Sequence, residues 1–201
     1  MKADPHWAER FIGCTVVCIA SGPSLTVEDC EAVRASGHPT IVTNTTYRRC
    51  PWASVLFGHD AAWWKEYGKR PKDGGPSVDD VFSGERVTCS IAGKTLGVQS
   101  FHNQPWFTPF GNSGTAAISL AVIGRARRVV LLGYDCQKMG GAVHWHGDHP
   151  KGLGNAASMK RWPRHFANVA KFAAGRGVEV LNCSRATALT CFRRVELSAA
   201  L

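Results

Sequence analysis

"CTVVCIASGPSL", residues 14 to 25, is the stretch on which the fold turns. Its first seven residues are a continuous apolar run rich in valine, bounded by Gly13 before it and by Ser21-Gly22-Pro23-Ser24 after it. Alternate side chains of a strand point to opposite faces, so a run without polar alternation describes a strand buried on both faces. The next segment, "SLTVEDCEAVRASG", predicts a helix. Ser24 or Thr26 can cap it, Glu28 and Asp29 fall in its first turn, and Gly37 stops it.

The same alternation continues outward along the chain. Strands are predicted over "PTIVTN" (39–44), "ASVLFGHD" (53–60), "RRVVLLGYD" (127–135) and "VEVLNCS" (178–184), with weaker ones over "ERVTCS" (85–90) and "KTLGVQS" (94–100). Helices are predicted over "DAAWWKEYG" (60–68), the small-residue segment "NSGTAAISLAVIG" (112–124) and "SMKRWPRHFANVAKFAAGRG" (158–177), with Pro163 either in or near the first turn of the last or kinking it. Buried-type strands alternating with helices mean an α/β fold with a doubly wound, mostly parallel, Rossmann-like sheet. We expect a single domain over 1–201 with its core at about 14–185. The Gly/Pro-rich segment 68–84 reads as a loop or lid-like insertion.

Bulk properties agree with one globular domain. The 201 residues are 44% hydrophobic and 19% charged, which argues against long disorder. A formal charge of +9 favours a polyanionic or phosphorylated ligand. No apolar run reaches the ~18 residues that a membrane span needs, and "MKADPHWAERF" has no signal-peptide character. Eight cysteines contain no C-x-x-C pair, which points to free thiols in a reducing, cytoplasmic setting.

In such sheets ligands bind beyond the carboxyl ends of the strands. The residues there are Ser21 to Ser24, then Asn44 and Thr45, then His59 and Asp60, then Tyr134 and Asp135. Both "SGPS" and "GNSGT" (111–115) read as Gly-bearing turns that open a helix with N–H groups and hydroxyls exposed, which suits a phosphate or nucleotide. Neither is a Walker motif nor G-x-G-x-x-G. Arg48, Arg49, Arg125, Arg127, Arg128, Arg193 and Arg194 are scattered rather than massed, which weakens a nucleic-acid reading. Trp63, Trp64 and Trp106 suit an acceptor pocket or the core equally well.

"VHWHGDHPKG" (143–152) packs His144, His146, Asp148 and His149 into six positions. The string H-x-H-x-D-H matches the metallo-β-lactamase superfamily, whose two-metal site also needs a downstream aspartate and histidine. After Asp148 this chain has no aspartate, and its next histidine beyond the cluster, His165, lies in a predicted helix. No two-zinc site is expected. The imidazoles are instead candidates for a general base, a phosphate-binding pair or a single metal site. Short spacing puts His144 and His146 on one side of an extended segment, and one of these two is the expected base, with His149 in support.

"CIASGPSL", an Asn after the second strand, "GNSGTAAISLAVIGRARRVVLLGYD" and a "GGAVH" loop together resemble two related groups. One is the bacterial sialyltransferases that use CMP-sialic acid; the other is the 6-hydroxymethylpterin diphosphokinase-like family. The chain looks like a small phage-encoded member of that superfamily, over roughly residues 14 to 185. The resemblance implies a nucleotide-dependent transferase in the cytoplasm of the host cell, most simply a glycosyltransferase-like enzyme with a nucleotide-sugar donor. It implies nucleotide contacts from Ser21, Gly22, Ser24, Asn44, Asp60, Asn112, Ser113, Gly114 and Thr115, and catalytic roles for a histidine of the 144–149 loop and Asp135. A diphosphokinase-like enzyme would instead use Asp60, Asp135 or Asp148 for Mg²⁺. The remaining alternative is a non-catalytic nucleotide- or nucleic-acid-binding phage protein. Ser21 stands where the sialyltransferases have Asn, Asp60 where an Asn is expected, and Tyr134 is placed differently from the tyrosines that steady their departing phosphate.

Overall fold

The computed structural model describes residues 4–154 and 157–201. It contains one eight-stranded, wholly parallel sheet in the order β5-β4-β3-β2-β1-β6-β7-β8. The strands are β1 (Thr15–Ile19), β2 (Thr40–Thr43), β3 (Val55–Phe57), β4 (Glu85–Thr88), β5 (Gln99–Ser100), β6 (Arg128–Leu132), β7 (Glu179–Asn182) and β8 (Arg193–Arg194). The helices are α1 (Pro5–Ala8), α2 (Val27–Ser36), α3 (Ala61–Tyr67), α4 (Val78–Val81), α5 (Ser113–Ile123) and α6 (Trp162–Ala174). No helix among the described residues is long and apolar enough to cross a membrane.

Both faces of the sheet carry helices, as the apolar strands require. All five residues of β1 are buried. Val16 and Cys18 join Ile41, Val55, Phe57, Val129 and Leu131 in a core filled by α5 and α6. Their neighbours Val17 and Ile19 join Val42, Leu56, Val130 and Leu132 in a second core, against Cys30 and Val33 of α2 and Trp63, Trp64 and Tyr67 of α3. The two-residue period of the strand thus sorts one apolar run into two hydrophobic layers. Nine residues of the small-residue helix α5 are buried, because it lies between the sheet and α6. Helix α6 buries only Phe166, Val169 and Ala173, spaced for one face. Pro163 sits in its first turn, where a missing N–H costs nothing.

The chain steps outward from β1 to β5, then crosses back through α5 to β6 on the other side of β1. The switch point therefore lies between β1 and β6. Ile19 pairs with Val42 on one side and with Leu132 on the other, so these strands end side by side.

Some local expectations change. "KTLGVQS" is not a strand throughout: Ile91–Leu96 is a 3-10 helix capped by Ser90 and ended by Gly97 in the left-handed region, which leaves only Gln99 and Ser100 to pair. Segment 68–84 contains α4, started by a capping box of Ser77 and Asp80. The segment is held down: the Arg48 guanidinium takes both carboxylate oxygens of Asp73 at 2.7 and 2.8 Å, and Tyr47 donates to the Pro76 carbonyl. Helix α1 and strand β8 carried too short a pattern to be expected. All eight cysteines are free thiols.

Candidate functional site

A cavity of about 360 Å³ opens at the carboxyl ends of β1, β2, β3 and β6, against the first turn of α5 and the side of α6. Ser21, Gly22, Asn44, Asp60, Asn112, Ser113, Gly114, Asp135, His144 and His149 all line it. Ser24, Thr115, His146 and Asp148 do not.

The turn after β1 is tied to the end of β6. Gly22 N–H donates to the Gly133 carbonyl at 2.9 Å. A Cβ on Gly22 would lie 2.2 Å from Asp135 Oδ1 and 2.4 Å from that carbonyl, while Gly133 has φ +68° and no room beside the Ala20 carbonyl. Only glycine fits either position. Ser24 gives its N–H to Asp135 Oδ2 and its hydroxyl to Oδ1, each at 2.8 Å. Both carboxylate oxygens of Asp135 are thereby engaged. Burial pushes the Asp135 pKa up, against the Ser24 bonds that pull it down. Helix α2 starts only at Val27, with Thr26 accepting from Asp29 N–H as its cap. Ser24 therefore offers the cavity neither a hydroxyl nor a helix end. Its polar groups hold the turn to Asp135.

The turn before α5 is organised differently. Helix α5 starts directly at Ser113, so its first N–H groups face the cavity that Asn112, Ser113 and Gly114 line. Asn112 caps it by accepting from Thr115 N–H at 2.9 Å. The Thr115 hydroxyl donates within the same turn and to the Pro109 carbonyl at 2.7 Å, so Thr115 is fully buried as part of the cap. The amide nitrogen of Asn112 is buried without a partner. Ser113 Oγ donates to Asn44 Oδ1 and accepts from His59 N–H, both at 3.2 Å, which ties the helix start to the ends of β2 and β3. Asn44 takes φ +49°, a left-handed conformation that asparagine tolerates better than most residues.

The three loop histidines form a cluster. The His144 and His146 rings are stacked, 5.0 Å apart and within 9° of parallel, and His149 lies 5.1 and 4.7 Å from them. His144 Nδ1 is 2.9 Å from Ser21 Oγ, and His149 Nδ1 is 3.0 Å from the Tyr67 hydroxyl. Burial lowers all three pKa values, to about 3 for His146 and about 4 for His149, and the neighbouring imidazoles lower those two further. All three are neutral at pH 7. His144 lines the cavity with His149, whereas His146 stands behind them.

The acidic residues separate. Asp60 lines the cavity at the N-cap of α3, yet makes no capping hydrogen bond. Asp148 is exposed and outside the cavity. Among the described residues no group of three His, Cys, Asp or Glu side chains is placed to hold a metal ion. Nor does the chain's positive charge gather here: among the described residues no lysine or arginine lines the cavity. An anion would be held by neutral donors and the α5 terminus.

Sequence reasoning named His59 only by its place and overlooked Trp162, Phe166 and Met159, which form the apolar wall. Their one signal was an aromatic pair at the start of a helix that follows the histidine loop. Trp63 and Trp64 are buried in the second core and Trp106 packs against the first, so none lines an acceptor pocket here.

No family model matches the chain, and no curated protein matches it. Among solved structures, a short-chain dehydrogenase from Oenococcus oeni PSU-1 is 10% identical with a TM-score of 0.23, over 94% of this chain and 87% of that chain. A likeness that loose decides nothing about fold or function.

Proposed function

We propose that this protein binds a nucleotide in the cavity between β1, β6 and α5 and transfers a glycosyl group from a nucleotide-sugar donor. One observation carries the reading: a neutral imidazole, His144, lines the same cavity as the open N-terminus of α5. An acid–base group and an anion site at one switch point are what a transfer from a phosphate leaving group needs.

The chemistry follows from those two parts. A hydroxyl of the acceptor attacks the anomeric carbon of the donor while His144 removes its proton. The bond from that carbon to the phosphate oxygen breaks, and the electron pair leaves with the phosphate. The first α5 N–H groups and the Asn112 amide nitrogen receive the charge. Burial keeps His144 unprotonated and ready to accept a proton at neutral pH. Ser21, against Nδ1, orients the ring.

A phosphoryl-transfer reading, diphosphokinase-like, requires Mg²⁺ on carboxylates. Asp135 is committed to Ser24, and Asp148 faces away, so that reading rests on Asp60 alone. A non-catalytic nucleic-acid binder has, among the described residues, no basic wall to use at this cavity.

The test is calorimetric titration with nucleotide-sugars and nucleoside triphosphates, with and without Mg²⁺, followed by turnover measurements on the donor that binds. His144→Ala should lower turnover by about 10²-fold or more with little change in donor affinity. Full turnover in His144→Ala removes His144 as base, and Mg²⁺-dependent binding of a triphosphate in place of a sugar nucleotide overturns glycosyl transfer.

A further inference from the structure

His59 sits at the end of β3 and is held at three points. Its N–H donates to Ser113 Oγ at 3.2 Å, and its carbonyl accepts from the Thr88 hydroxyl at 3.3 Å. Its ring nitrogen Nδ1 lies 3.3 Å from Cys89 Sγ. The residue lines the cavity, and with Nδ1 turned to Cys89 the other nitrogen, Nε2, is left for the cavity. Through Ser113 the ring is fixed next to the first turn of α5.

A neutral imidazole has one donating and one accepting nitrogen, and the partner of one decides the role of the other. Burial, with a smaller contribution from nearby Asp60, pushes the Cys89 thiol up to about 11. The sulfur therefore keeps its proton at neutral pH and can donate it. A thiol that donates to Nδ1 requires that nitrogen to be the bare acceptor, which places the imidazole proton on Nε2.

We propose that His59 is a ligand-binding residue of the cavity, held by Cys89 as the Nε2–H tautomer so that it donates a hydrogen bond to a phosphate oxygen. Cys89 is a positioning residue: it touches no ligand and acts only through the ring. This assignment rests on the cavity being a nucleotide site. It adds a hydrogen-bond donor to a lining that has no lysine or arginine among the described residues, and it gives a physical role to a cysteine that forms no disulfide.

The tautomer is read without any ligand, from the ¹⁵N NMR shifts of the His59 ring in the intact protein. The expected pattern is Nε2–H in the wild type and in Cys89→Ser, which keeps a donor, and a mixture of tautomers in Cys89→Ala. Binding is then measured with the four ribonucleoside monophosphates and their parent nucleosides. His59→Leu should weaken the monophosphate that binds by about tenfold or more, as for a lost hydrogen bond to a charged group, and leave its nucleoside unchanged. Cys89→Ala should give a smaller loss that Cys89→Ser restores. Thermal melts confirm that each variant folds, and His59→Ala replaces His59→Leu if the latter does not. An Nδ1–H tautomer in the wild type, or undiminished monophosphate binding in the His59 variant, overturns the assignment while the nucleotide site stands. If the wild type binds no monophosphate and no nucleoside, the nucleotide reading itself fails, and the phosphate contact with it.

Discussion

Two turns flank the cavity, one after β1 and one before α5, and each has a glycine, a serine and a following helix. In the first, the polar groups of Ser24 are spent inside the protein on Asp135, and the helix begins three residues later. In the second, Asn112 and Thr115 cap each other and the helix starts at Ser113, with its end open to the cavity. The first turn is a clasp between β1 and β6; the second is a wall of the cavity. What separates them is whether a buried carboxylate stands opposite. Asp135 takes both donors of Ser24 in one turn, and among the described residues no carboxylate accepts from the donors of the other.

Matched substitutions put that contrast to measurement. The largest effect should come from adding one methyl to each turn. Gly22→Ala places a Cβ 2.2 Å from Asp135 Oδ1, with Gly133 backbone behind it, so it should cost about 3 kcal/mol of stability. In Gly114→Ala the nearest atom is a Tyr134 ring carbon at 3.1 Å, which can yield, and the change should stay within about 1 kcal/mol. Denaturant melts of the two variants decide the matter, and equal losses would mean that the first turn is not the tighter clasp.

A smaller effect is expected from acid. His146 and His149 have folded pKa values of about 3 and about 4, below the ordinary 6.5. Between those limits the unfolded chain binds more protons, so their contribution is complete above pH 6.5 and is lost as the pH falls toward 4. Asp135 has the opposite sign. Its raised pKa makes stability fall as the pH rises just above 3.8. Melting scans should show stability declining from pH 7 to pH 4, with a shallower decline in His146→Gln. An identical slope in that variant would detach the loop histidines from acid sensitivity.

The smallest difference is also the most diagnostic. Ser113→Ala removes the hydroxyl that bridges Asn44 and the His59 N–H, so it should weaken nucleotide binding by about 1 kcal/mol or more and lower the melting temperature as well. Ser24→Ala should lose about 1.5 kcal/mol of stability as a buried bond to a carboxylate goes and leave affinity unchanged. Calorimetry beside thermal melts reads both, and a nucleotide that weakens with Ser24→Ala would make the two turns equivalent after all.

The parallel α/β sheet, most of its strands and the four longest helices were legible in the sequence, because each depends on local pattern. Apolar runs such as 14–20 can be buried only on both faces, and Gly37 and Pro163 sit where helix geometry requires them. The gathering of the strand-end residues around one cavity also followed, since strand order alone brings carboxyl ends together. Three things did not follow. The short β5 follows a 3-10 turn ended by Gly97, while the clamped segment 68–77 and the two unlike turns are set by partners far along the chain, Arg48 and Asp135. Ser24 and Ser113 are both a hydroxyl after a glycine-bearing turn until the fold places a carboxylate 111 residues away against one of them. The same holds for His59, whose tautomer is decided by a thiol from the neighbouring strand end. Sequence periodicity determines which face a side chain takes. Which donor is consumed and which stays available depends on contacts that only the packed sheet creates.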